Sequence, residues 1–216
     1  MVSTHAPASR GRVFVIAGPS GVGKGTLVRG VCSRLPGVFV SVSATTRAPR
    51  TGEIDGVDYH FVSDADFDAL IATGGLVEWA TYAGTRYGTP RAPVVEALAA
   101  GRTVILEIEV EGARQVRRAL PEAVLVFISP PSFEELRARL VARGTESPER
   151  VDARLAVARK EMAARREFDH VVVNDQVDRA IADLVELIGP SQPVTPGRAS
   201  DPIGATDDSA KVTHTS

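Results

Sequence analysis

The sequence predicts an α/β fold with a mostly parallel sheet covered by helices on both faces. Three observations carry this reading. Short apolar runs alternate with amphipathic helical patterns along most of the 216 residues. The runs are apolar nearly throughout, as strands buried on both faces are. The first of them, "RVFVIA", leads directly into the glycine-rich "GPSGVGKGT" of residues 18–26 and then into a helical pattern. With 44% hydrophobic and 24% charged residues, the chain carries enough apolar material for a substantial core.

Taken in order, residues 1–9 ("MVSTHAPAS") offer almost nothing to bury and read as a disordered N-terminal tail. "RVFVIA" is a strand, and 24–35 a helix. Residues 38–92 break the alternation, being rich in Thr, Tyr, Gly and Asp. There the strand-like pieces "YHFV" and "LVEWATY" flank a helix-like "DADFDALIATG". This segment reads as an inserted substrate-binding subdomain on a core formed by 10–37 and 93–189. The alternation resumes with "RTVILEI", a helix over 111–119, "AVLVFIS", a helix over 132–142, "HVVVN" and a helix over 176–188. Strands near 13, 104, 124 and 171 are expected to be buried on both faces. Residues 190–216 hold prolines and small polar residues without period and read as a disordered C-terminal tail.

Composition excludes several classes. A formal charge of −2 gives no broad basic field for nucleic acid, so anion binding must come from local clusters. The apolar runs fall far short of the ~20 residues that span a bilayer, and no signal-peptide pattern precedes them. The expected location is the cytoplasm. Cys32, the single cysteine, reads as a small buried hydrophobe, and no disulfide can form within the chain. Oligomeric state is left open.

"GPSGVGKGT" fits the phosphate-cradling pattern GxxxxGK through Lys24. A strand, then Gly18, Pro19, Ser20, Gly21, Val22 and Gly23, then a helix, brings backbone N–H groups together at a helix N-terminus, an anion site by geometry and dipole. Lys24 adds a full charge there, in a chain with three lysines and 22 arginines. The next position, normally a metal-binding Ser or Thr, is Gly25, and Thr26 comes one place late. Magnesium keeps several waters and binds largely through substrate phosphates, so the loop still suits ATP with Mg²⁺. The ending GKGT resembles that of adenylate kinases.

The rest of the chain resembles a different family. "SVSATTRAPRTGEIDGVDYHFV" (41–62), "EWATYAGTRYGTP" (78–90) and "ILEIEVEG" (105–112) are similar to guanylate kinases, with the resemblance dense over 12–188. It implies a P-loop kinase core, an inserted GMP-binding subdomain and a helical lid over about 137–166. The implied activity is transfer of the γ-phosphoryl group of ATP to GMP, and to dGMP, in purine nucleotide metabolism.

Residue chemistry accords with that resemblance. Arg47 and Arg50 stand around Pro49, which stiffens the turn presenting both guanidinium forks to one phosphate. Tyr59 and Tyr87 are implied to add hydroxyls to the same phosphate. Glu78 offers only acceptors, which match the adjacent N1–H and N2–H₂ donors of guanine and mismatch adenine N1. Ser43 and Thr89, at family positions that contact the base, can donate to guanine O6. Glu107 and Glu109 lie two apart on a strand, so both side chains point to one face near its C-terminal end, where open α/β sheets bind ligands. The family more often has aspartate there. Glu109 is assigned to the guanine edge and Glu107 to metal-bound water, and salt bridging to nearby arginines is the competing reading.

In "SFEELRARLVARGTESPERVDARLAVARKEMAARREF" most of the charge reads as a solvated helix face. By family position Arg139, Arg143 and Arg154 are implied to neutralise the transferring phosphoryl group when a lid closes. Asn174 is implied to meet the adenine of ATP. Two other readings stand beside the kinase: an adenylate-kinase-type enzyme, favoured only by GKGT, and a non-catalytic guanylate-kinase-like interaction module, opposed by Lys24 and the lid arginines.

Overall fold

A computed structural model describes residues 11–82, 84–142 and 148–189. Both predicted tails and Arg143 lie outside the described residues. The main sheet has five strands in the order β2-β7-β1-β8-β9: β2 (Phe39–Val40), β7 (Val104–Glu107), β1 (Val13–Ala17), β8 (Val124–Ser129) and β9 (His170–Val173). All its pairings are parallel, with Phe14 opposite both Ile105 and Val124.

The central strand explains the apolar runs. Every residue of β1 is buried. Phe14 and Ile16 enter one core with Leu27, Val31, Leu136, Leu155, Ile181 and Leu184. Those partners come from α1 (Lys24–Arg34), α5 (Phe133–Ala142), α6 (Pro148–Ala163) and α7 (Val177–Ile188). Val13, Val15 and Ala17 enter a second core with Val94, Ala97, Ala113 and Val116 from α3 (Arg91–Ala99) and α4 (Val110–Ala119). Side chains alternate across a strand, so a strand with two covered faces must be apolar throughout. Each such side chain contributes about 1.5–3 kcal/mol of transfer free energy.

The outermost strand departs from the expectation. Val171 and Val173 are exposed and only Val172 is buried, because β9 is last in the sheet and is covered on one face. The sequence reading offered nothing for 91–99, where α3 follows directly on a strand.

Residues 44–90 build a second sheet in the order β4-β3-β6-β5, from β3 (Ala44–Thr45), β4 (His60–Phe61), β5 (Leu76–Tyr82) and β6 (Thr85–Pro90). β5 and β6 form an antiparallel hairpin, β3 runs antiparallel to β6, and β4 runs parallel to β3. α2 (Asp64–Ala72) is capped by Ser63, whose hydroxyl accepts from the Asp66 N–H. Phe67 of α2 packs with Ala44 and Leu76 to form a small core. Arg86 ties the helix down, donating to Asp64 and Asp68 at 2.5 Å each.

Candidate active site

The phosphate loop leaves the buried end of β1. Gly18 has φ 147° and Gly23 has φ 100°, a left-handed backbone that favours glycine. Side chains there would also collide: a Cβ on Gly18 would lie 2.4 Å from Ile128 O, and one on Gly23 2.7 Å from Asn174 Nδ2. Gly23 caps α1, so Lys24 opens the helix where its dipole is positive. The Lys24 ammonium donates to Gly18 O at 2.6 Å and lies 3.9 Å from Glu109 Oε2. In this arrangement it closes the loop on itself. An arriving phosphate must draw it away from the Gly18 carbonyl and from Glu109.

Asn174 braces the loop from behind. Its Nδ2 donates to Val22 O at 2.8 Å, the residue is 3% exposed, and Oδ1 is buried with no hydrogen bond. The amide thus ties Asn174 to the phosphate loop through Val22. Arg139 donates to the backbone carbonyl of Asn174 at 3.1 Å and to Glu135 at 3.2 Å. From α6, Arg154 reaches Ser20 Oγ at 2.6 Å. Arg139 and Arg154, two of the three arginines expected in a lid, thus meet the loop or its brace.

β7 ends at Glu107, and Glu109 sits one residue past Ile108 as the N-cap of α4. The expectation that both lie on the strand is corrected here: pairing with β1 stops at Glu107, opposite Ile16, and the chain turns into the helix. Burial pushes Glu107 above the usual carboxylate range, while Lys24 and Arg29 pull it back. Its charge also reaches Tyr59. Glu107 therefore stands between the lysine of the phosphate loop and the phenols of the inserted sheet.

In that sheet, Arg47 donates to Ala48 O at 2.8 Å and stacks over Tyr59 with 5.3 Å to the ring centroid. Tyr59 and Tyr87 meet edge to face at 6.0 Å. Burial raises Tyr59, keeping its hydroxyl a donor near neutrality. Arg47, Tyr59 and Tyr87 are brought together, and Arg50 lies exposed in the same loop. Glu53, which sequence reasoning did not select although it lies within the quoted run 41–62, pairs with Arg47 and accepts from the Arg50 backbone N–H at 2.7 Å.

Glu78 is 5% exposed on β5. Burial drives its carboxyl up to about 6, with the Thr89 bonds opposing and the charge of Glu109 adding to the rise. The Thr89 hydroxyl donates to Glu78 Oε1 at 2.6 Å. A hydroxyl has one proton, so Thr89 cannot also donate to guanine O6 in this arrangement. Thr89 instead holds the carboxylate. Ser43 enters the sheet beside β3, its carbonyl accepting from the His60 N–H at 2.9 Å.

A further carboxylate escaped the sequence reading. Glu161 of α6 has a buried Oε2 with no hydrogen bond, and burial together with the neighbouring Glu109 pushes it up to about 8. It also faces Lys24 and the Ser20 N–H. Within a helix of alternating charges nothing local marks it.

A phosphate loop and an Arg–Tyr cluster thus stand on either side of Glu107, with the buried Glu78 beside Glu109. The guanylate kinase family model matches residues 10–190.

The chain belongs to the guanylate kinase family. A guanylate kinase of Nocardia farcinica is 59% identical over 180 residues, covering 82% of this chain and 93% of the relative. That of Thermobifida fusca is 56% identical over 177 residues, covering 82% and 90%. Among solved structures, guanylate kinase from Anaplasma phagocytophilum superposes with a TM-score of 0.68 at 31% identity, covering 83% of this chain and 85% of that one. Among the described residues no helix is long and apolar enough to cross a membrane.

Proposed function

We propose that this guanylate kinase family member transfers the γ-phosphoryl group of ATP to GMP, giving ADP and GDP. The observation that carries the reading is Glu78: a buried carboxylate held by a neutral hydroxyl, so that its charge is available to paired N–H donors such as those of guanine. Adenine would place an acceptor against it. The adenylate-kinase-type reading therefore rests on GKGT alone.

In the transfer, an oxygen of the GMP phosphate attacks the γ-phosphorus in line; the new O–P bond forms as the bond to the β-phosphate oxygen breaks, and ADP leaves. Arg47, Arg50, Tyr59 and Tyr87 orient the attacking phosphate. Lys24, once released from Gly18 O, and the lid arginines Arg139, Arg143 and Arg154 neutralise charge on the moving group. Backbone N–H groups of residues 18–26 hold the donor phosphates.

Hard oxygen donors suited to magnesium surround Lys24: the carboxylates of Glu107 and Glu109, the latter with a buried oxygen lacking a hydrogen bond. Among the described residues no group of three or more His, Cys, Asp or Glu is arranged to hold a metal ion. Phosphates and water would supply most of the ligands of a bound magnesium ion, and Glu107 would be the residue to reach its water shell. When bound, the ion draws charge from the β- and γ-oxygens.

An acceptor screen with ATP and GMP, AMP, UMP or CMP, read by ADP release, tests the proposal. Turnover strongly favouring GMP is expected. Preference for AMP, or ATP binding without turnover on any acceptor, would overturn it.

A further inference from the structure

We propose that Gly112 and Gln115, three apart on one side of α4, are positioning residues that set the Glu78 carboxylate for base recognition; the proposal rests on the base-reading role given to Glu78 above. The first observation is one of space. A Cβ built on Gly112 would lie 2.4 Å from Glu78 Oε2, closer than real Cβ atoms come, and 3.1 Å from its Cδ, a tight contact. The carboxylate thus occupies the volume that a side chain at 112 would fill. Gly112 stands in the first turn of α4, where glycine is a weaker helix former than alanine. The space is taken by the carboxylate given the base-reading role.

The second observation concerns the strand that carries Glu78. β5 is the outer strand of the second sheet, and its pairing with β6 shifts register between Leu76 and Trp79, the interval that contains Glu78. Such irregularities re-aim side chains, and they weaken the ladder that holds the strand. Gln115 supplies what is missing on the far edge. Its Nε2 donates to Trp79 O at 2.7 Å, and its Oε1 accepts from Trp79 N–H at 3.1 Å. One side-chain amide thereby satisfies both backbone groups of Trp79, as a neighbouring strand would. The residue next to Glu78 is pinned to the same helix whose glycine receives the carboxylate.

Together these contacts make α4 a fixed reference for the reader. The helix begins at Glu109, next to Lys24, so the base contact is located relative to the phosphate loop through one rigid element. Neither Gly112 nor Gln115 supplies a group to the chemistry. Both act through Glu78.

The test is a double-mutant cycle on the full chain, with KM for GMP and kcat read separately. Gly112→Ala is expected to raise KM for GMP about tenfold and Gln115→Ala about threefold to fivefold, with kcat within about twofold of wild type. In a Glu78→Ala background both second substitutions are expected to be silent, because the group they position is gone. Equal costs in the two backgrounds would show a general effect on the helix and overturn the proposal. If Gly112→Ala does not fold, Gln115→Ala in the same two backgrounds decides the matter. Failure of the underlying reading looks different: Glu78→Ala alone would leave KM for GMP unchanged. A strong effect of Glu78→Ala with none from either α4 variant would leave that reading standing and sink this one.

Discussion

Arg47 and Glu53 meet as a two-pronged pair, Nη2 to Oε1 at 2.8 Å and Nη1 to Oε2 at 2.9 Å. The fork that is to hold a phosphate is thus held beforehand by a carboxylate of similar geometry. The bond to Arg47 lowers Glu53 to about 2, against an ordinary value of 4.5.

Two outcomes follow for Glu53→Gln. Because the fork loses its preset orientation and the loop loses part of its hold on the Arg50 N–H, KM for GMP should rise by roughly threefold to tenfold. A lowered KM would mean that Glu53 competes with the phosphate instead of aiming the fork at it. The second outcome concerns pH. A depressed carboxyl contributes stability that is complete above its unfolded value and is lost as pH falls through its folded value. The wild-type melting temperature should therefore drop between pH 4.5 and about 2 more steeply than that of the variant.

Glu78 should leave a signature in the kinetics at mild acidity. With its carboxyl raised to about 6, protonation removes the charge that accepts from guanine, so KM for GMP should climb as pH falls below about 6. Glu78→Gln should abolish that inflection and lower kcat/KM for GMP tenfold to a hundredfold, on the scale of one charge-assisted bond, ~1.5–3 kcal/mol. A parallel loss with AMP would assign Glu78 to the fold rather than the base.

Removal of the Lys24 ammonium should cost ~10² or more in kcat, the range for one preorganised donor or cation. Lys24→Ala also breaks the 2.6 Å bond to Gly18 O, so circular dichroism and ATP affinity should be followed beside turnover. Wild-type turnover in a folded variant would remove Lys24 from the mechanism.

Glu161 predicts a loss of stability as pH rises from mild acidity. A carboxyl raised to about 8 contributes stability that is present below its unfolded value and lost as pH rises through the folded one. Thermal stability should therefore fall across pH 4.5 to 8, and Glu161→Gln should flatten that slope. Superimposable profiles for the two proteins would mean that the carboxyl is solvated.

What could be read from the chain alone was what depends on neighbours in sequence. "RVFVIA" and "GPSGVGKGT" declare a buried strand and a phosphate loop because burial and backbone freedom are written in consecutive residues. β3 and β4, with two residues each, are too short to show a period. Arg47, Tyr59 and Tyr87 were grouped by family resemblance, and the structure puts them in contact. The Thr89 bond to Glu78, the Asn174 bond to Val22 and the approach of Glu161 to Glu109 join residues 11, 152 and 52 positions apart. No spacing rule reaches them, because only the fold brings their partners together.

The phosphate loop departs from the usual pattern at Gly25. A Cβ at position 25 would lie 3.5 Å from both Glu107 Oε1 and Arg29 Nη1, ordinary contacts, so the Glu107 carboxylate lies beside the spot where a hydroxyl-bearing residue would stand. Gly25→Ser should accordingly fold and stay active, with a lower magnesium requirement seen by titrating turnover against the ion. The Glu107 carboxylate thus puts an oxygen donor beside the position where the loop itself lacks one.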